Sequence, residues 1–163
     1  MSGNPLVRFD EGRVGRTSVS PSLLLYRLGE KLMKADLDEN AIAKEIVDAA
    51  FRIHTTLGPG LLESVYNAVL ALELGRRGLR TSQRQSIPVV YENFRIDTGF
   101  RADLVVEDKV VVEIKSVELI APVHKKQLST YLRLADKRLG LLINFNVAPI
   151  KDGITRIVNG LRD

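Results

Sequence analysis

The sequence predicts one α/β (α+β) domain, a sheet flanked by helices, in the order helices, three strands, helix and one or two strands. Three stretches carry that expectation. From Asp38 onward apolar residues recur at spacings of three and four, the period of an amphipathic helix. Between Phe100 and Glu118 two Val-rich runs flank the charged turn Glu107, Asp108, Lys109, as in a β-hairpin. After Gly140 the run LLINFN has the length and composition of a strand buried on both faces.

Residues 1–37 read differently, with Gly3, Gly12 and Gly15 among scattered Arg and Ser and a short apolar piece over 23–28 after Pro21. They form an arm outside the domain at 38–163, flexible or partner-docking, and no function is assigned to it. It lacks the basic start, long apolar middle and small-residue cleavage site of a secretory signal. The first helix takes Asp38 or Asn40 as its N-cap and presents Ile42, Ile46, Ala49, Ala50, Ile53 and Leu57 to a core, at helical spacing. Gly58, Pro59 and Gly60 interrupt it. The second helix runs from about residue 61 to residue 77, with Leu62, Val65, Val69 and Leu72 as its packing stripe and Gly75 and Gly78 at its close. Residues 81–98 read as strand, turn, strand, with Asn93 suited to a left-handed corner after Glu92. Pro88 marks an edge strand or an irregular stretch. Pro122 opens a third helix that runs to about residue 138, and residues 154–158 supply a last short strand.

At 163 residues and 45% hydrophobic, the chain can bury one good core. It has no cysteine, hence no disulfide framework, thiolate metal site or cysteine nucleophile, which fits a reducing cytoplasm. His54 and His124 lie far apart in sequence, unlike the ligands of a usual zinc site. No apolar run approaches the ~20 residues of a membrane span, so no membrane partner is expected. The net charge of +4 is compatible with a polyanion. The basic clusters Arg76, Arg77, Arg80, Arg84 and Lys125, Lys126, Arg133, Lys137, Arg138 read equally well as solvated helix faces and ends.

The charged residues of the hairpin are more informative. Residues i and i+2 of a strand share a face, so Ala102, Leu104, Val106, Val110, Val112 and Ile114 form one apolar face, while Asp103, Glu113 and Lys115 fall on the other. A hairpin centred on Asp108, with a three-residue loop, sets Asp103 opposite Glu113 and points both carboxylates the same way. A two-residue loop would split them across the sheet. Two such carboxylates repel unless a cation lies between them, and hard oxygen ligands suit Mg²⁺, or Mn²⁺ in its place. The competing reading is an ion-pair cluster of Asp103 and Glu113 with Lys115 and Arg101 at a sheet end.

Taken together these stretches resemble the PD-(D/E)XK nuclease superfamily, and within it the small GxxExxY proteins. The likeness runs from about residue 40 to residue 158: Gly60, Glu63 and Tyr66 in GPGLLESVY, then GFRADLVVEDKVVVEIKSVE, PVHKKQLSTYL and GLLINFNV. It implies a restriction-endonuclease-like αβββαβ core with a central mixed sheet. By the same resemblance Asp103 is a metal-binding acid, Glu113 and Lys115 are the (D/E)XK pair, Glu63 is an acid from the first core helix, and Gln127 and Tyr131 follow a QxxxY pattern. The implied function is Mg²⁺-dependent hydrolysis of DNA, with RNA as a further candidate substrate, catalysed by Glu63, Asp103, Glu113, Lys115 and Gln127. Glu63, Asp103 and Glu113 would hold the metal. Tyr66, His124 and Tyr131 would support the site or touch substrate, and a homodimer is compatible with cutting two strands. The alternative is a non-catalytic nucleic-acid- or protein-binding module that keeps the fold.

Overall fold

The computed structural model describes residues 20–26 and 37–161. Most of the arm expected over 1–37 lies outside the described residues; residues 21–26 are helical, with Leu23, Leu24, Leu25 and Tyr26 exposed. Among the described residues no helix is long and apolar enough to cross a membrane.

Helix α1 spans Glu39–Leu57, and its cap is Asp38, whose carboxylate accepts from the Ala41 amide at 2.7 Å. That bond satisfies one of the donors a helix start leaves open. Ile42, Ile46, Ala49, Ala50 and Ile53 are buried as expected, whereas Leu57, in the last turn before Gly58, is exposed.

Helix α2 spans Glu63–Arg76 and buries Tyr66, Leu70, Ala71 and Leu74. The stripe expected from the sequence is turned away from the core: Leu62, Val65 and Leu72 are exposed and Val69 is only partly buried. The row at i, i+4 and i+8 from Tyr66 faces inward instead, because the Tyr66 ring stacks on Phe145 and its hydroxyl finds polar partners. The helix closes with Leu79 N–H on the Leu74 carbonyl and Gly78 N–H on the Gly75 carbonyl. Gly78 has φ 82°, a conformation that glycine alone adopts without steric cost.

Among the described residues five strands follow, in the order β1-β2-β3-β4-β5: β1 Thr81–Tyr91, β2 Phe94–Val106, β3 Val110–Lys115, β4 Leu139–Asn144 and β5 Ile154–Val158. All neighbours are antiparallel except β3 and β4, which are parallel. A parallel pair needs a crossover, and helix α3, Pro122–Leu134, provides it. The result is the mixed sheet flanked by helices that the sequence predicts. Leu104, Val106, Val110, Val112 and Ile114 join the core under α1 and α2. Val105, Val111 and Leu142 join a second core with Leu128, Tyr131 and Leu132 of α3.

Local departures have local causes. β2 is continuous through Gly99, where a Cβ would collide with Val89. Pro88 sits in edge strand β1 at a shift of register between Ile87 and Val89, as a residue without an N–H must. The left-handed residue of the β1–β2 turn is Glu92, φ 52°, in place of Asn93, since a two-residue loop matched to strand twist needs positive φ at its first position. α3 stops at Leu134, short of residue 138. Asp136, φ 50°, takes the left-handed place after the cap, and Lys137 N–H returns to the Leu132 carbonyl, the closure usually made by glycine.

The β2–β3 hairpin has the odd loop required to align its acids. Leu104↔Val112, Val105↔Val111 and Val106↔Val110 are paired, leaving Glu107, Asp108 and Lys109 as the loop. Glu107 and Asp108 are left-handed, and Lys109 N–H donates to the Val106 carbonyl. The buried Glu107 carboxylate anchors this turn, accepting from the Arg80 amide at 2.6 Å and Arg80 Nε at 2.9 Å.

Candidate active site

The β2–β3 ladder ends at Leu104↔Val112, and beyond it Asp103 Oδ2 accepts from the Ile114 amide at 2.8 Å. A side chain thus bridges the strands where they part. Ala102 joins the second core rather than the face it was expected to share with Leu104, consistent with the parting. Asp103 and Glu113 lie together on the side covered by α3. Lys115 Nζ donates to Glu113 Oε1 at 3.0 Å, with only 15% and 7% of the two side chains exposed. No described ion pair involves Arg101, so the simple cluster of two acids with two cations does not form.

Burial, and then the Asp103 charge, push the Glu113 carboxyl up to about 7, against the pull of Lys115. Burial raises Asp103 as well, offset by the Ile114 amide and Lys115. For Lys115 burial acts downward, but Glu113, Glu63 and Asp103 outweigh it and the amine is raised. An ammonium ion among carboxylates is the consequence. Glu113 Oε2 is buried and has no hydrogen-bond partner.

Glu63 reaches the end of β3 from the first turn of α2. Its Oε1 accepts from the Ser116 amide at 3.1 Å, while Ser116 Oγ donates to the Leu61 carbonyl at 2.7 Å. Tyr66 secures the approach: its hydroxyl donates to the Gly58 carbonyl at 2.7 Å and accepts from the Leu61 amide at 3.2 Å. The Tyr66 ring stacks on Phe145 with centroids 4.3 Å apart. One aromatic residue therefore fixes the 58–61 loop that precedes Glu63.

From α3, Gln127 Nε2 donates to the Tyr131 hydroxyl, and the Tyr131 ring lies 4.7 Å from that of Phe100. Burial and the nearby Glu113 charge raise the Tyr131 phenol. His124 Nδ1 is buried without a partner. His54 belongs elsewhere, donating from Nε2 to the Val147 carbonyl at 2.8 Å.

Sequence reasoning passed over Asn144, the residue within the run LLINFN at which β4 ends. Its side chain is buried, accepts from the Val117 and Asn146 amides and donates to the Val117 carbonyl. It thereby fixes the turn that follows Lys115. A single amide closing an otherwise apolar strand was the available signal.

A sequence model described as the PD-(D/E)XK nuclease superfamily matches residues 40–157. The chain belongs to that superfamily. No curated protein matches it. It aligns with the crystal structure of SSO0001 over 86% of this chain and 79% of that one, at 19% identity and a TM-score of 0.37, a likeness too slight to argue from. Membership in the PD-(D/E)XK superfamily implies interaction with nucleic acid, and its nucleases generally use divalent metals.

Among the described residues, no three Asp, Glu, His or Cys side chains gather closely enough to hold a metal by themselves. Mg²⁺ does not require three, because it keeps several waters and binds through one or two carboxylates plus substrate phosphates. Asp103 and Glu113 meet that requirement. The unpartnered, buried Glu113 Oε2 beside the partly buried Asp103 carboxyl is a donor set short of positive charge, and it fits a hard divalent cation. Glu63 stands at the exposed rim, engaged with Ser116.

Proposed function

We propose that this chain is a Mg²⁺-dependent nuclease that hydrolyses phosphodiester bonds in DNA, with RNA as an alternative substrate, at Asp103, Glu113 and Lys115. The observation that carries this reading is the buried, unpartnered Glu113 Oε2 beside Asp103, with Lys115 Nζ on the other oxygen of the same carboxylate. Asp103 and Glu113 would hold the cation, with Glu63 as a further oxygen at the rim and Mn²⁺ as a substitute. When bound, the cation offsets charge on the phosphoryl oxygens and makes the attacking water more acidic.

The remaining work falls to the protein's own groups. Lys115, tethered to Glu113, sets a positive charge where the phosphoryl oxygens gain negative charge. Gln127, turned by Tyr131, orients water or phosphate, and His124, one turn earlier, contacts a phosphate. Tyr66 supports Glu63 by holding its loop, which supports placing Gly60, Glu63 and Tyr66 with the GxxExxY proteins.

A second reading, a binding module that keeps the fold without turnover, is favoured by the lack of a three-acid cluster among the described residues. Cleavage of end-labelled DNA in Mg²⁺ or Mn²⁺ separates the two. The nuclease reading expects metal-dependent products that vanish in Lys115→Ala while its circular dichroism is unchanged. Undiminished cleavage by that variant contradicts the site, and binding without cleavage by the wild type supports the module.

A further inference from the structure

Strands β1 and β2 pair row by row from Thr81↔Val106 to Ile87↔Phe100 with one row missing. Gln83↔Leu104 and Gln85↔Ala102 are paired; the row between them, Arg84 opposite Asp103, is not. The gap coincides with a backbone anomaly, for Arg84 has φ 51°. Among the described residues, the other non-glycine ones with positive φ, Glu92, Glu107, Asp108 and Asp136, lie in turns or just past a helix end. Of these described residues Arg84 alone lies inside a strand, where no change of chain direction calls for a left-handed residue.

L-residues avoid this conformation because Cβ crowds the backbone, and glycine adopts it freely. An arginine there keeps an awkward backbone, and such outliers cluster where a side chain must be aimed. The Arg84 side chain is exposed and makes none of the described hydrogen bonds or ion pairs. It is nevertheless close enough to Asp103 for its charge to act on that carboxyl, opposing Glu63. The site otherwise sets three carboxylates against Lys115, which Glu113 already engages. A phosphodiester approaching such a surface needs an uncommitted cation, and a guanidinium offers two parallel donors to phosphate.

We propose that Arg84 is a substrate-binding residue of this site, its guanidinium taking a backbone phosphate of the nucleic acid at the rim beside Asp103. The inference rests on the reading of the site as a nuclease centre. The left-handed backbone interrupts the ladder at the one row facing the acid and aims the side chain at the incoming strand. Arg84 contributes binding, and the reacting groups stay those of β2 and β3.

The test measures binding of a fluorescent single-stranded or duplex oligonucleotide, as a function of salt in EDTA, by wild type, Arg84→Gly, Arg84→Gln and Arg84→Lys. Steady-state cleavage in Mn²⁺ accompanies it. Arg84→Gly suits the observed φ and should melt no lower than wild type. Both neutral variants should bind about tenfold more weakly, as loss of one charged hydrogen-bond partner implies, with a log–log salt slope smaller in magnitude by about one. Cleavage should show raised KM with kcat nearly unchanged, and Arg84→Lys should recover part of the affinity. Wild-type affinity and salt slope in Arg84→Gly overturn the proposal while leaving the nuclease reading intact. So does weaker binding matched by a lower melting temperature in both neutral variants, which would make Arg84 structural. A wild type that neither binds nor cuts overturns the nuclease reading and the Arg84 assignment with it.

Discussion

The amide of Ile114, the residue between Glu113 and Lys115, donates to Asp103 Oδ2 at 2.8 Å. This bond ties β2 to β3 one step past their last paired row. The same backbone segment that carries the Glu-x-Lys pair thus holds the acid from the preceding strand. Asp103 is thereby held beside Glu113 and Lys115 by the residue between them.

The site stores a pH dependence with a definite sign. Glu113 titrates near 7 in the folded protein, against 4.5 when unperturbed, so between those values the folded state binds more protons than the unfolded one. Stability therefore falls as pH rises from about 4.5 to about 7, and the loss is complete above that window. The shift corresponds to about 3 kcal/mol, and Asp103, raised for the same first reason, adds in the same direction. The urea midpoint should be higher at pH 5 than at pH 8, and Glu113→Gln should flatten the difference. A wild type more stable at pH 8 than at pH 5, with no such change in Glu113→Gln, would contradict the assignment.

Tyr66→Phe keeps the stack on Phe145 and deletes the hydroxyl that serves Gly58 and Leu61. The expected cost is about 1 to 2 kcal/mol, read as a lower urea midpoint. Cleavage should fall further than the stability loss explains, because the loop before Glu63 is released. Unaltered activity would separate that loop from the site.

Asn144→Leu leaves the Val117 amide, the Val117 carbonyl and the Asn146 amide without their side-chain partner. Stability should drop by about 2 to 3 kcal/mol. Hydrogen exchange at the Val117 amide should accelerate more than at amides in the centre of β4. Uniform acceleration across the sheet would mean a global effect instead.

The sequence made the hairpin legible because its signals are local. An alternation of period two together with an odd charged loop determines which side chains share a face, and the register from Leu104↔Val112 to Val106↔Val110 follows. The inward face of α2 was not legible in the same way. Leu62, Val65, Val69 and Leu72 are more apolar than Tyr66, but burial is decided by the shape of the opposing surface and by partners for the Tyr66 hydroxyl, both supplied by Gly58, Leu61 and Phe145. Asn144 and Arg84 were hidden for related reasons. Asn144 acts through a turn formed by residues far back in the chain, and the left-handed φ of Arg84 is a property that arginine does not advertise. Glu63 lay between these cases: its place on the first turn of α2 was readable, whereas its bond to the Ser116 amide depends on how α2 meets the end of β3.

Thermal unfolding during a Mn²⁺ titration, comparing wild type with Asp103→Asn, tests the metal site most directly. A cation bound only by the folded protein stabilises it by about 2.7 kcal/mol at a hundredfold excess over Kd. The wild-type melting temperature should rise steadily with log Mn²⁺ concentration, and the Asp103→Asn curve should stay flat. Equal rises in both proteins would place the cation elsewhere and contradict the assignment of Asp103 and Glu113 as its ligands.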